Sequence, residues 1–336
     1  MSYINLRISR ILRFGFIIVA ISLILYVADL NKFLSLTSQA DVYYFSLVLV
    51  LITFDQIFMG VKWHFLLRLF HVFVPVSVPV LAYLRGRVFS FFAPSSLGID
   101  AYKTYCVQKY HHAISPIVSS IIIERFFGAL SSLLIITLLL PLSVNDLNLP
   151  FKEQAVLVSL VGVIAITVSL HLMQSRAALL LKLDFRRFSP KRVNKVLKRL
   201  LSNLAMIKDG RRQVWVYFFL SIIEKTSYGL AVYFSSRTIG LSEPGILFLI
   251  AAAPLVALLE RLPISVSAIG VREGLFVLLF APFYDDPTIP LTISLVLRAA
   301  ELLQILIVAV SWLFVSDREA IERKVKSIDT EIKLVK

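Results

Sequence analysis

Ionisable side chains lie inside long apolar runs of this chain. Asp55 sits in the run 43–61, Glu124 and Arg125 in 117–140, and Glu224 and Lys225 in 214–234. Arg298 and Glu301 sit in 289–314. Two interrupted apolar regions hold the rest: Arg85, Arg87, Asp100 and Lys103 in 78–105, and Glu260, Arg261, Arg272 and Glu273 in 245–283. A charge at bilayer depth is costly on every scale, so each should face a bundle interior and be paired. Adjacent residues such as Glu124 and Arg125 point about 100° apart on a helix and need partners elsewhere. Arg298 and Glu301 are three apart and share a face. Arginine concentrates around the two interruptions, and its planar donors fit phosphate or carboxylate. Free N–H groups at the N-termini of broken helices favour anions too. The expected chemistry is binding of an anion in a polar cavity, with structural ion pairing as the competing use. The candidates are Asp100, Lys103, Arg125, Arg272, Glu273, Arg298 and Glu301, with Pro94, Gly98, Pro263 and Gly270 as the structural breaks.

The same inventory contains no catalytic constellation. The five histidines, His64, His71, His111, His112 and His171, lie near the edges of apolar runs, and His111-His112 has neither metal-ligand spacing nor a cysteine partner. A single cysteine, Cys106, excludes an intrachain disulfide and argues against a Cys-based zinc site or Fe–S cluster. P-loop, dinucleotide and nucleophile-elbow motifs are absent. Asp285-Asp286 has no further carboxylate cluster beside it and reads as solvated loop charge. No metal and no cofactor is expected, and ATP-driven transport would need a separate subunit.

The elements that must position these charges follow from composition. Of 336 residues, 58 % are apolar and 17 % charged, with a mean hydropathy of +0.83. Soluble domains are about 45–50 % apolar and about 25 % charged. A soluble enzyme, a disordered tail and a secreted disulfide scaffold are thereby excluded, and the alternation of an outer-membrane barrel is missing. The predicted fold is an all-α polytopic membrane protein with about six full spans plus two broken or re-entrant helical hairpins. The spans are 11–28, 43–61, 117–140, 155–171, 214–234 and 289–314, each near the ~20 residues that cross hydrocarbon. The run 11–28 follows Arg7, Arg10 and Arg13 and is long for a signal peptide, so a retained helix is expected. The regions 78–105 and 245–283 break at Pro94–Gly98 and at Pro263–Gly270. Irregular backbone at membrane depth survives only under protein or beside a water-filled cavity.

Charge sets the expected orientation. The net charge is +14, and twelve of the basic residues fall in 175–213 against Asp184 and Asp209. Positive loops are cytoplasmic, so this loop, both termini and 62–71 are placed on the cytoplasmic side of the inner (cytoplasmic) cell membrane. That explanation of the charge is preferred to nucleic-acid binding, for which no recognition motif is present. Within the loop, apolar Val193 to Ile207 recur at helical spacing among Lys191, Arg192, Lys195, Lys198 and Arg199, behind a Ser189-Pro190 start. This reads as an amphipathic interfacial helix attracted to anionic inner-leaflet lipid. Helix, helix, broken hairpin, helix then occurs twice, the hairpins opening from opposite sides. Ile123-Glu-Arg125 and Val296-Leu-Arg298 occupy matching places. The expected organisation is a membrane domain over 1–316, with repeats about 1–141 and 154–316 in inverted order, and a charged cytoplasmic tail over 317–336. Inverted repeats with paired broken helices mark transporters, with the site near the midplane.

Three blocks carry a family resemblance: Lys62-Trp63 to Arg68; Phe91 to Lys103 followed by Ile122 to Gly128; and Leu262 to Glu273 followed by Arg298. They resemble the transmembrane, flippase-like domain of lysylphosphatidylglycerol synthases over essentially the whole chain. Leu97 stands where that pattern has Gly, a residue is inserted before Asp100, Lys103 replaces Arg, and Ser267-Ala268 replace Gly. In two-domain members, the resemblance implies, such a domain moves aminoacylated phosphatidylglycerol outward and a soluble domain makes it. A synthase half is not expected in this chain, nor therefore aminoacylation. The expected function is handling or translocation of an anionic phospho- or glycolipid, with a membrane lipid as the main partner and a separate lipid synthase or glycosyltransferase as another. The alternatives are a membrane-embedded transferase acting on a lipid-linked phosphate sugar, and an accessory partner of a lipid synthase.

Overall fold

The computed structural model describes residues 30–90, 97–146, 211–241, 245–260, 270–280 and 283–314, with 153, 157 and 160–164 besides. Every long element among them is an α-helix. In chain order these are α1 (Leu30–Ser38), α2 (Val42–Leu69), α3 (Ser77–Ser90), α4 (Leu97–Gln108), α5 (Ile114–Asp146), α6 (Arg211–Thr238), α7 (Ile246–Leu259), α8 (Val271–Phe280) and α9 (Thr288–Phe314). Local chemistry sets several starts. The Asp41 carboxylate accepts from the Tyr43 N–H at 2.8 Å and caps α2. Asp286 accepts from the Thr288 N–H at 2.8 Å and starts α9, which gives half of the Asp285-Asp286 pair a capping role. Gly270 takes φ 82°, and its N–H donates at 2.7 Å to Glu273 in the first turn of α8. Glycine is suited to that left-handed backbone, and the reach-back by Glu273 satisfies an N–H that would otherwise be unpaired.

Two long helices, α2 and α6, pack antiparallel at the centre. The Asp41 N–H at the start of α2 donates to the Thr238 carbonyl at the end of α6, at 2.8 Å. Near the other end Lys62 reaches Ser221 at 3.0 Å. Each central helix holds the first arm of a hairpin through a glycine. A Cβ on Gly60 would lie 2.5 Å from the Val80 Cα of α3, and one on Gly229 would lie 2.7 Å from the Ile250 Cα of α7. Close backbone approach over small residues is how helices associate in lipid, where burial of apolar surface supplies little drive. The halves therefore repeat one order, α2–α3–α4–α5 and α6–α7–α8–α9, with their leading helices running in opposite directions.

Two apolar clusters fill the space between the charges. Val48 and Ile52 of α2 pack with Val232 of α6, Val256 of α7 and Ile293 and Leu297 of α9. Trp63, Leu66 and Leu67 of α2 pack with Tyr83 of α3, Phe127 of α5 and Tyr217 of α6. Large apolar side chains such as Val50, Leu138, Phe219, Leu278 and Leu306 point outward. An outward apolar surface of this extent is what hydrocarbon solvates.

Val42–Leu69, Ile114–Ser143 and Thr288–Trp312 are long and apolar enough to cross a membrane. The helix α6 has the length, 28 residues, but carries Glu224, Lys225 and buried serines. Its position against α2, α5, α7 and α9 explains that polarity, because its polar side chains face protein. The expected span 43–61 continues as helix to Leu69, so Lys62 and Trp63 are helical and buried where a loop was expected. Gly98 lies in the first turn of α4. The expected run 11–28, the amphipathic loop helix, the tail 317–336, Arg261, and the breaks Pro94 and Pro263 lie outside the described residues.

Candidate functional site

The charged candidates fall into two groups. The first surrounds a small pocket of about 80 Å³ lined by Met59, Lys62, Tyr83, Ile99, Asp100, Glu124, Arg125, Gly128 and Glu224. Five helices, α2 to α6, contribute to it. Lys62, only 1 % exposed, pairs with Glu224, which also pairs with Lys225. Across the pocket Arg125 pairs with Asp100 through Nε at 3.0 Å and through its second nitrogen. Arg125 is 37 % exposed and Asp100 22 %, which makes this pair the accessible one.

Lys103 lies behind that wall, one turn beyond Asp100 on α4. Its ammonium donates to Tyr83 Oη at 2.6 Å and to Glu124 Oε2 at 2.7 Å, and lies 3.9 Å from Asp100. The rings of Trp63 and Tyr83 flank it at 4.3 and 4.1 Å. Such stacking stabilises a desolvated cation by about 2 kcal/mol or more. Tyr83 also donates to Glu124, and the Trp63 N–H donates to Ser120 at 2.9 Å. This layer fixes Glu124 in the pocket wall. The pocket thus presents both signs of charge, and a solute entering it meets guanidinium, ammonium and carboxylate groups within one small volume.

The second group is a closed network. Arg272 forks to Glu260 at 2.5 and 3.2 Å and to Glu301 at 2.9 and 3.2 Å. Arg87 reaches Glu301 at 3.2 Å. Arg298 pairs with Glu273 at 2.9 Å, and Glu273 is held in turn by the Gly270 N–H. Arg272 is 6 % exposed and Glu273 2 %. Arg87 ends the first arm of one hairpin and Glu260 caps the first arm of the other, so the flanks of the two interruptions meet on Glu301 and Arg272. A buried network of this kind is held by mutual satisfaction, and removing one member strands the others.

Of the seven candidates, Asp100 and Arg125 line the pocket, Lys103 stands directly behind it, and Arg272, Glu273, Arg298 and Glu301 form the closed network. The polar pocket residues that the sequence left out of the candidate set are Lys62, Tyr83, Glu124 and Glu224. A signal for Lys62 was present: it lies two helical turns after Asp55, on the same stripe of α2. Tyr83 gave none, since a tyrosine in an apolar arm is ordinary core until its hydroxyl is seen between Lys103 and Glu124.

The two halves carry one salt bridge in common. Asp100 in the first turn of α4 pairs with Arg125 of α5, and Glu273 in the first turn of α8 pairs with Arg298 of α9. Both pairs span 25 residues. These features define a polytopic helical membrane protein whose described halves repeat one order of helices, each with an acid–arginine clasp joining its hairpin to its last helix. The chain belongs to the lysylphosphatidylglycerol synthase TM region family, whose model matches residues 10–309. No curated protein and no solved structure matches it. Membership places it among membrane proteins concerned with lipids.

Proposed function

We propose that the protein binds the head group of a membrane lipid in the pocket lined by α2 to α6 and moves it between leaflets of the cytoplasmic membrane, without an ATPase of its own. The observation that supports this most is the pocket itself: charged residues converge on an open space inside a bundle whose outer surface is apolar. Charge retained at membrane depth marks a ligand path when it faces a cavity. Arg125 is the cation positioned for phosphate, because it is the most exposed of the set and its planar fork suits that group. Asp100, Glu124 and Glu224 in the same wall favour a head group that also carries donors, such as sugar or glycerol hydroxyls or an amine. The cargo is then a phosphate-bearing lipid with a polar, donor-rich head, supplied by a separate lipid synthase or glycosyltransferase. The basic segment 175–213 would attract anionic inner-leaflet lipid.

The test begins with lipid identification by native mass spectrometry on the purified full chain, followed by a leaflet-accessibility assay in liposomes carrying the lipid identified. Enrichment of a phosphate-bearing lipid, with movement well above protein-free liposomes, supports the reading. A bound lipid without an anionic head, or movement equal to the protein-free control, overturns it.

A further inference from the structure

The inverted halves share a clasp but differ in what stands beside it. One position before the acid is Ile99 in the first half and Arg272 in the second. Three positions after the arginine is Gly128 in the first half and Glu301 in the second. Ile99 and Gly128 line the open pocket. At the corresponding places Arg272 and Glu301 are joined by two hydrogen bonds of 2.9 and 3.2 Å. The ion pair stands where the first half has open space.

The central helices continue the correspondence. Asp55 precedes the packing glycine Gly60 by five residues, and Glu224 precedes Gly229 by five. Glu224 lines the open pocket, and Asp55 is its counterpart by chain position, with Glu224, Lys225, Lys62 and Arg87 as its charged neighbours; Arg87 in turn reaches Glu301 of the second group. The Asp55 Oδ1 is shielded from solvent and accepts no hydrogen bond among the described residues. A buried carboxylate oxygen left in that condition is costly and requires a compensating use.

We infer that the second half holds a latent counterpart of the pocket, walled by Asp55, Glu273, Arg298 and Leu297, and that the Arg272–Glu301 pair is its gate. In the alternate state the gate parts, Asp55 gains solvent or ligand partners, and the first pocket closes over the Asp100–Arg125 clasp. Inverted repeats exchange conformations in this way, opening one side as the other shuts. The two chambers differ in grip. Lys62, Lys103 and Glu124 of the first correspond to Ala231, Phe276 and Leu297 of the second. The first chamber is the loading site for a charged head group, and the second, with fewer charges, is the release site. This rests on the transport reading for its cargo, whereas the chambers themselves are tested without any lipid movement.

The reporter is Leu297→Cys in a Cys106→Ser background, because Leu297 is fully buried and corresponds to pocket-lining Glu124. Met59→Cys, in the pocket wall, reports on the first chamber. Full-length protein in liposomes of one orientation is labelled with a membrane-impermeant maleimide. Arg272→Ile with Glu301→Ala removes one charge of each sign and should raise labelling of the Leu297→Cys site about tenfold, from the face opposite to that which labels Met59→Cys. The converse variant, Ile99→Arg with Gly128→Glu, installs the gate in the open half. It should protect the Met59→Cys site and expose the Leu297→Cys site. The second variant leaves the native network intact, so it decides the matter if the first fails to fold. Protection of the Leu297→Cys site in every folded variant, or labelling of both sites from one face, overturns the inference. Switching accessibility without lipid movement keeps the two chambers and removes the transport reading. Lipid movement with fixed accessibility does the reverse.

Discussion

Arg125 and Arg272 are both arginines beside a hairpin interruption, yet their surroundings assign them different work. Arg125 clasps Asp100 and faces the pocket, whereas Arg272 divides four hydrogen bonds between two carboxylates. Lysine keeps the charge and loses the fork. Arg125→Lys is expected to leave the melting temperature within a few degrees of wild type and to slow lipid movement. Arg272→Lys is expected to lower stability by about 2–3 kcal/mol, since it cannot satisfy Glu260 and Glu301 together. Thermal melts in detergent beside the leaflet assay separate these outcomes, and equal behaviour of the two variants would remove the distinction. The charges themselves were legible in the sequence, because each interrupts an apolar run. Their division into pocket and network was not, because it depends on which helices meet: Lys103 spends its charge on Tyr83 and Glu124, and Lys62 on Glu224.

Among the elements, the two central helices are set by their glycines. At Gly60 and Gly229 an added methyl would fall on backbone atoms of Val80 and Ile250, which cannot turn aside as a side chain could. Gly60→Ala and Gly229→Ala should each cost about 1–3 kcal/mol through forced helix separation. Gly274 on α8 is the control: nothing lies within 4 Å of a Cβ there, so Gly274→Ala should be neutral or stabilise by about 0.5–1 kcal/mol through helix propensity. Thermal melts of the three variants test this, and a loss at Gly274 as large as at Gly60 would refute the close-approach account. The existence and order of these helices followed from hydropathy and its interruptions. What did not follow was the register of α2. Its apolar run ends at residue 61 but the helix runs to Leu69, because Glu224 of α6 and Ser120 of α5 satisfy Lys62 and Trp63. An ion pair across 162 positions is invisible to a window that reads one segment at a time.

At the scale of the whole molecule, charge and symmetry make one joint prediction. The antiparallel α2 and α6 put the end of α2 beside the start of α6, and the pocket residues Met59 and Lys62 lie toward that same end. The basic segment 175–213 leads into α6. Positive loops stay on the cytoplasmic side, so the ends, this segment and the mouth of the pocket should all be cytoplasmic, with 31–41 and Asp285–Asp286 outside. Single cysteines placed one at a time in a Cys106→Ser background, labelled in intact cells, give the map directly. Sites in 191–199 should react only after permeabilisation, and sites at 31–41 should react before it. The Met59→Cys site should behave as the inside sites do, because Met59 lies toward that end of α2. Labelling of 191–199 from outside would invert the whole assignment and with it the direction in which a head group is loaded. Labelling of Met59→Cys from outside, with the loops as expected, would leave the orientation intact and reverse only the loading side. The same experiment therefore separates an error in topology from an error in mechanism.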